Sequence, residues 1–316
     1  MNIIIGLKFF VLNIIFLILA AHIERSKIFD IIVAKIIKIR YSLNFIITFF
    51  FLFSPLFLFP VFIDIARKIY NKSNKNEIIY SYLLISILIG SILSPIGNQR
   101  NLFIMSYISS YYPEGFKMLE FFLKNTFFIW LFALLLLNII SFFTKYKFEG
   151  NIETERFRYK ELLFFIVSLI LVIPFGMGKL NFAGFSFLIL FFMFAFTSFE
   201  TLKITKWIYL IPSFIVIPLS IIPSNFPLNI GGHLKILSSS FLASGIITSN
   251  FSSVLFSSPE LSNMANIIKG VSAGSLIPFI GSFEIIYIKF FKKERINPFV
   301  FIIFSVICFL IGLIIK

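Results

Sequence analysis

The sequence predicts an all-α polytopic membrane protein, built as an inverted-topology repeat with two re-entrant hairpins and two broken helices. Three observations carry this expectation. The 316 residues are 59% hydrophobic and their mean hydropathy is +1.00, too apolar for a soluble domain. The basic residues gather in short stretches between apolar segments. The run SPIGNQRNLFI, residues 94–104, places a proline, a glycine, amides and Arg100 inside an otherwise apolar stretch. Unpaired backbone is costly in a bilayer, so a helix broken at membrane depth survives only inside protein or beside a polar cavity.

The elements follow in chain order. Residues 1–21 read as a membrane helix rather than a signal peptide, because no A-x-A-like cleavage site follows them. Residues 22–41 carry Arg25, Lys27, Lys35, Lys38 and Arg40, with Ile28, Ile31, Ile32, Ile36 and Ile39 at helical spacing. That pattern predicts an amphipathic helix along the inner surface, with Lys35 snorkelling. A second basic stretch, 64–77, follows the apolar segment 42–63. If 42–63 crossed the membrane, one of its two basic flanks would lie outside, against the positive-inside rule. Ser54-Pro55 breaks its middle, so it is predicted to enter and return with its tip there. The Phe-rich stretch 48–53 is expected to face lipid.

Residues 78–111 form the first broken helix and 116–143 an unbroken one. A linker, 144–161, is the third basic stretch. Helices 162–175, 181–199 and 207–223 follow, separated by Lys203 and Lys206. Residues 238–258, SSSFLASGIITSNFSSVLFSS, are too serine-rich to face lipid and are flanked by little charge. They are predicted to form a second hairpin, entering from outside. Residues 266–288 form the second broken helix, Lys289 to Arg295 the fifth basic stretch, and 296–315 the last helix. The five stretches hold 20 of the 28 Lys and Arg, so all are placed in the cytoplasm. Eight crossings result, with both chain ends outside. The net charge of +14 thus reads as topology rather than as nucleic-acid binding. Asp64 and Glu200 sit near boundaries and are expected to be solvated. Cys308 is alone and has no partner for an intrachain disulfide. His22 and His233 match no metal-ligand spacing.

Residues 7–143 and 207–315 repeat one order: crossing helix, interfacial stretch, hairpin, broken helix, final helix. The first break has Pro95, Gly97 and Asn98; the second has Pro278, Gly281 and Ser282, with one more residue between proline and glycine. Hairpins entering from opposite sides make the repeat inverted, an architecture common among secondary transporters. The division is 1–143 for the first repeat, shortened by two helices, 144–161 for the linker and 162–316 for the second.

These residues resemble a known group. LILAAHIERSKIFD, residues 17–30, is similar to a helix followed by an E-x-S/T-G turn, with Lys27 at the glycine position. SPIGNQRNLFI resembles P-I-G-N-P-Q-N-L, matching at Gly97, Asn98, Asn101 and Leu102 and departing at Gln99 and Arg100. SGIITSNFSS resembles a second-hairpin motif around S-N-V-P, with Ser249 and Asn250 matching. KGVSAGSLIPFIGSFE resembles G-x-N-x-G-G-x-x-T-P-I-G/A-S, matching at Gly270, Gly274, Gly281 and Ser282 with Ser272 at the asparagine position. All four belong to the ion transporter superfamily of arsenite-pump membrane subunits, citrate and dicarboxylate transporters and related sodium/proton antiporters. The first hairpin departs from it, carrying Ser54-Pro55 where S-N-T or N-D is usual.

The resemblance implies a secondary active permease of the cell membrane, moving an inorganic or organic anion by alternating access with coupling to Na⁺ or H⁺ and no other cofactor. It also implies a homodimer. No P-loop is present, so primary pumping would need a partner ATPase. Hairpin tips and helix breaks would meet near the bilayer midplane. The expected substrate-binding residues are Gly97, Asn98, Arg100, Asn101, Ser249, Asn250, Ser275, Gly281 and Ser282. Arg100 suits a carboxylate or oxyanion, or else pairs with a protein carboxylate. Ser54, Ser272 and Glu284 are the expected ion-coupling residues. The alternatives are a sodium/proton antiporter, with Glu284 as its titrating acid, and a degenerate relative that does not transport. An intramembrane enzyme is disfavoured: there is no H-E-x-x-H, no nucleophile elbow and no pair of intramembrane carboxylates.

Overall fold

A long apolar run satisfies its own backbone hydrogen bonds within one segment as a helix, and the described residues of this chain take that course. A computed structural model describes residues 3–56, 58–112, 116–144, 146, 148, 155–177, 179–219, 233–256, 258, 260–278 and 281–315. Among them every regular element is helical. Two helices are long and apolar enough to cross a membrane singly, α1 (Ile3–Ser26) and α7 (Met118–Phe143). The others are α2 (Ile28–Ile36), α3 (Ser42–Phe53), α4 (Phe59–Lys72), α5 (Glu77–Gly90), α6 (Gln99–Tyr111), α8 (Tyr159–Gly176), α9 (Phe182–Phe196), α10 (Phe199–Ile204), α11 (Ile211–Leu219), α12 (His233–Leu255), α13 (Leu261–Gly274), α14 (Phe283–Ile286) and α15 (Pro298–Ile314). A π-helical turn, Tyr287–Phe291, continues α14. The predicted segment 207–223 is described to residue 219, and most of the linker's residues 145–154 lie outside the described residues.

Ion pairs gather all five basic stretches at one end of the helical array. Lys27 pairs with Glu155 at 3.2 Å, and Lys68 with Asp30 at 2.6 Å. Arg25 pairs with Glu161 at 3.1 Å and also with Glu200. Lys206 reaches Glu24 at 2.9 Å and Asp64 at 2.6 Å. Arg67 pairs with Glu294. Asp64 and Glu200 are both partners of cations, because the helix ends that carry them converge; Glu200 stays largely exposed, solvated as expected, whereas Asp64 is half-buried. At Lys206, burial pulls the ammonium down, but the two carboxylates more than offset it and hold it above its ordinary value. At Glu24, burial pushes the carboxyl up and Lys206 offsets only part, because one cation serves two acids.

The Lys68–Asp30 pair closes α3–α4 into a hairpin whose flanks meet. Phe49 and Phe50 of α3 lie against Phe62 of α4, with ring centroids 5.8 and 5.1 Å apart, and the chain turns at a 3₁₀ turn, Ser54–Leu56. The Phe-rich stretch faces inward rather than lipid: Phe49, Phe50 and Phe51 are buried, and Phe49 also packs on Phe29 of α2. For the same reason α2 buries Phe29, Asp30 and Val33, whereas the expected isoleucine stripe stays partly exposed. The helix has two apolar faces, and the aromatic one finds the hairpin.

The second hairpin turns within α12. Thr248 has φ 71° and ψ 153°, and the Ser252 hydroxyl donates to the Ser240 carbonyl at 3.0 Å. Twelve residues of straight helix span about 18 Å, so this bond requires a chain that doubles back. The hairpin opens at the end opposite the basic one. Nearby, Lys269 of α13 donates to the Ile315 carbonyl at the far end of α15, while Asn297, before α15, donates to Ser81 of α5. The Lys8 ammonium donates to Ser110 at 3.2 Å, fixing the start of α1 beside the end of α6.

Candidate functional site

Both broken helices are built on one spacing. Gly90-Ser91 and Gly274-Ser275 end the first half-helix, and seven residues later Gly97-Asn98 and Gly281-Ser282 begin the second. The sequence alignment on proline placed an extra residue between Pro278 and Gly281; the structure shows that the glycines keep register and the proline shifts. Asn98 caps α6, its Oδ1 accepting from the Asn101 N–H at 2.9 Å. Ser282 caps α14, its Oγ accepting from the Ile285 N–H at 3.2 Å. A cap of this kind is worth about 1 kcal/mol. Glycine is required at both restarts because backbone crosses there: a Cβ on Gly97 would collide with the Ser91 carbonyl, and one on Gly281 would come within 2.6 Å of the Gly274 and Ile277 carbonyls.

Each hairpin tip touches the helix break that follows it in the chain. The Ser94 hydroxyl donates to the Pro55 carbonyl at 2.7 Å, and the Ser249 N–H donates to the Gly281 carbonyl at 2.8 Å. Where the two breaks meet lies a cavity of about 10 Å³, room for about one water molecule. Asn98, Arg100, Ser249, Ser275, Ser282 and Glu284 line it, with Leu88 and Ser91.

Arg100 is 3% exposed. Its Nη1 donates to the Val271 carbonyl at 2.9 Å and its Nε to Asn101 Oδ1 at 3.2 Å. Its Nη2 has no partner. Glu284 is 4% exposed; its carboxylate and the Arg100 guanidinium form no ion pair within 4.0 Å. Buried polar atoms without partners are uncommon. Here five fall on residues of the breaks or their immediate neighbours: Arg100 Nη2, Gln99 Oε1, Tyr209 Oη, Thr248 Oγ1 and Ser272 Oγ.

Six of the expected site residues thus share one cavity, and others are placed differently. Asn101 braces the break, its Nδ2 reaching the carbonyls of Ser94 at 2.7 Å, Ile92 at 3.2 Å and Ser91 at 3.3 Å. Ser54 donates to the Phe50 carbonyl and packs under Gly90 at the first tip, away from the cavity lining. Ser272 sits on α13, its carbonyl accepting from Ser275 at 2.7 Å. Gly97 and Gly281 shape the cavity's backbone. The Asn250 side chain lies outside the described residues.

Sequence reasoning missed a second polar cluster beside Arg100. Asn13 Nδ2 donates to the Tyr209 carbonyl at 2.9 Å and to Ser213 Oγ at 2.8 Å. Gln99 Nε2 donates to Asn13 Oδ1 at 3.3 Å and to the same Tyr209 carbonyl. A lone asparagine in the apolar run of α1 was the available signal. Larger cavities open at both ends of the array, about 510 Å³ beside Glu24, Asp30 and Arg67 and about 270 Å³ beside Lys8 and Tyr112. Neither shares a lining residue with the Arg100 cavity.

No protein-family model matches this chain, and no curated protein shows a significant match to it.

Proposed function

We propose that the protein is a multi-pass permease of the cell membrane that carries an anion by alternating access. The observation that carries this reading is Arg100, a buried cation with an unused donor, facing a water-sized cavity where two helix breaks meet. A guanidinium in that setting is held for a negative ligand. The N-terminal end of α6, opening at Asn98, adds a dipole of the same sign.

The membrane reading is supported by the long apolar α1 and α7 and by five basic stretches at one end. That end is the cytoplasmic one under the positive-inside rule. The inverted repeat is supported by hairpins opening at opposite ends and by the matched Gly-Ser and Gly-Asn/Ser breaks. In such a repeat the halves rock about a site at their interface. The resemblance to the ion transporter superfamily is supported at Lys27, which stands at the family's glycine position and has φ 62°, a left-handed conformation that favours glycine. Cavities on both sides of an occluded site agree with alternating access. A sodium/proton antiporter is the second reading, favoured by Glu284 in the same cavity.

The test is uptake of labelled anions by proteoliposomes under an imposed Na⁺ or H⁺ gradient. Anion accumulation that Arg100→Gln abolishes is expected. Na⁺-driven proton movement with no anion flux would replace this reading with the antiporter.

A further inference from the structure

The Arg100 cavity holds one cation and one carboxylate that do not pair. A buried guanidinium and carboxylate lining the same small space gain from closing on one another, since each alone is costly. Arg100, on α6, is anchored away from the carboxylate by the Val271 carbonyl and Asn101; Glu284, on α14, lines the same cavity two residues past the Ser282 cap. The cavity that both line has room for about one water molecule.

We propose that this cavity is a joint site for one compact inorganic monoanion, of halide or nitrate size, and one proton: the anion binds Arg100 Nη2, the proton binds the Glu284 carboxylate, and the two cross together. This rests on the reading of the protein as an anion permease and names its substrate class and its coupling ion. Charge balance carries it. Arg100 and Glu284 ionised sum to zero. A monoanion entering beside them leaves one uncompensated negative charge in a dry cavity, and a proton on Glu284 restores neutrality. Among the described residues lining the cavity, Arg100 and Glu284 are the charged ones. Tyr209 comes from the turn at Trp207–Leu210, and Tyr287 from its own helix; both are phenols and bring no cation. Lys289, further along, donates to the Pro278 carbonyl at 3.2 Å. A cavity this small favours a compact ion over a di- or tricarboxylate, and a single carboxylate to protonate favours a single charge.

The experiment uses the full chain in proteoliposomes with a trapped pH dye, offered nitrate or chloride as probes and succinate or citrate as comparators. Nitrate or chloride entry should acidify the lumen with one proton per anion, and an inside-alkaline gradient should drive uptake. Glu284→Gln keeps the side-chain shape and fixes it neutral. It should lower the number of protons moved per anion at least about tenfold. Nitrate or chloride flux without protons in the wild-type protein overturns the joint site and leaves anion transport standing. Flux of succinate or citrate but not of the probes overturns the substrate class. An unchanged proton-to-anion ratio in Glu284→Gln assigns proton carriage elsewhere and overturns the joint site. Absence of any anion flux overturns the permease reading beneath it. The wild-type proton-to-anion ratio decides the case however the variant folds.

Discussion

Replacing Asn101 with alanine should cost stability rather than ligand contact. Its Nδ2 has two hydrogens and faces three carbonyls of the break. Each carbonyl keeps a second partner: the Gly97 N–H on Ser94 at 3.2 Å, Thr126 Oγ1 on Ile92 at 3.2 Å, and Asn98 Nδ2 on Ser91 at 3.4 Å. The loss there is therefore two ordinary hydrogen bonds, about 1 kcal/mol each, with no carbonyl orphaned. The third loss is the acceptor for Arg100 Nε. A charged donor stripped of a partner in a dry site costs about 2 kcal/mol more. The sum is about 4 kcal/mol, roughly a thousandfold in the folded-to-unfolded ratio. Reversible unfolding of the detergent-solubilised protein reads it, with Asn101→Asp as the companion that keeps an acceptor for Arg100. If Asn101→Ala unfolds within about 1 kcal/mol of wild type yet no longer binds anion, Asn101 is a ligand contact and this account of the break is wrong.

Other outcomes follow from the same geometry. Lys206→Ala leaves Glu24 and Asp64 facing each other without their cation and should lower stability by about 2 kcal/mol, read as a drop in melting temperature. Lys206 is held above its ordinary value, so its contribution is fully present below about pH 10.5 and is lost only as pH rises through the raised pKa. Glu24 is raised above the usual 4.5, so its charged form carries a cost that is relieved as pH falls through the raised value. Glu24→Gln should therefore remove a rise in stability on mild acidification; an unchanged pH profile counts against that assignment. Thr248→Gly relieves a β-branched residue at φ 71° and should raise stability by about 1 kcal/mol; destabilisation would show that the Thr248 side chain matters more than its strain. Single cysteines at Asn74 and at Leu261 should be labelled from opposite sides of sealed vesicles, because these positions lie at opposite ends of the helical array; labelling from one side would break the proposed topology.

Much of this arrangement is visible in the sequence because broken backbone and clustered charge are written in local chemistry. Proline and glycine with amides in an apolar run mark the break at 94–98, and basic flanks on both sides of 42–63 signal a return to the same end. Ser54-Pro55 announces the first tip for the same backbone reason. What stays hidden depends on partners far apart in the chain. Lys206 looks like an ordinary loop lysine until α1 and α4 bring Glu24 and Asp64 to it. The inward face of α2 was not legible because both faces are apolar, and only the phenylalanines of the hairpin choose between them. Thr248 as the second tip runs against its own backbone preference, so the eye falls on Ser249-Asn250 instead. Asn101 matches a motif, but whether its amide meets backbone or ligand is a matter of ångströms.

The most direct measurement is anion binding to the purified protein, with nitrate and chloride titrated against wild type, Arg100→Lys and Arg100→Gln and read by calorimetry or by ligand-induced thermal stabilisation. The account predicts saturable binding to wild type, weaker binding to Arg100→Lys and none to Arg100→Gln while that variant remains folded. Equal binding to wild type and Arg100→Gln would contradict it.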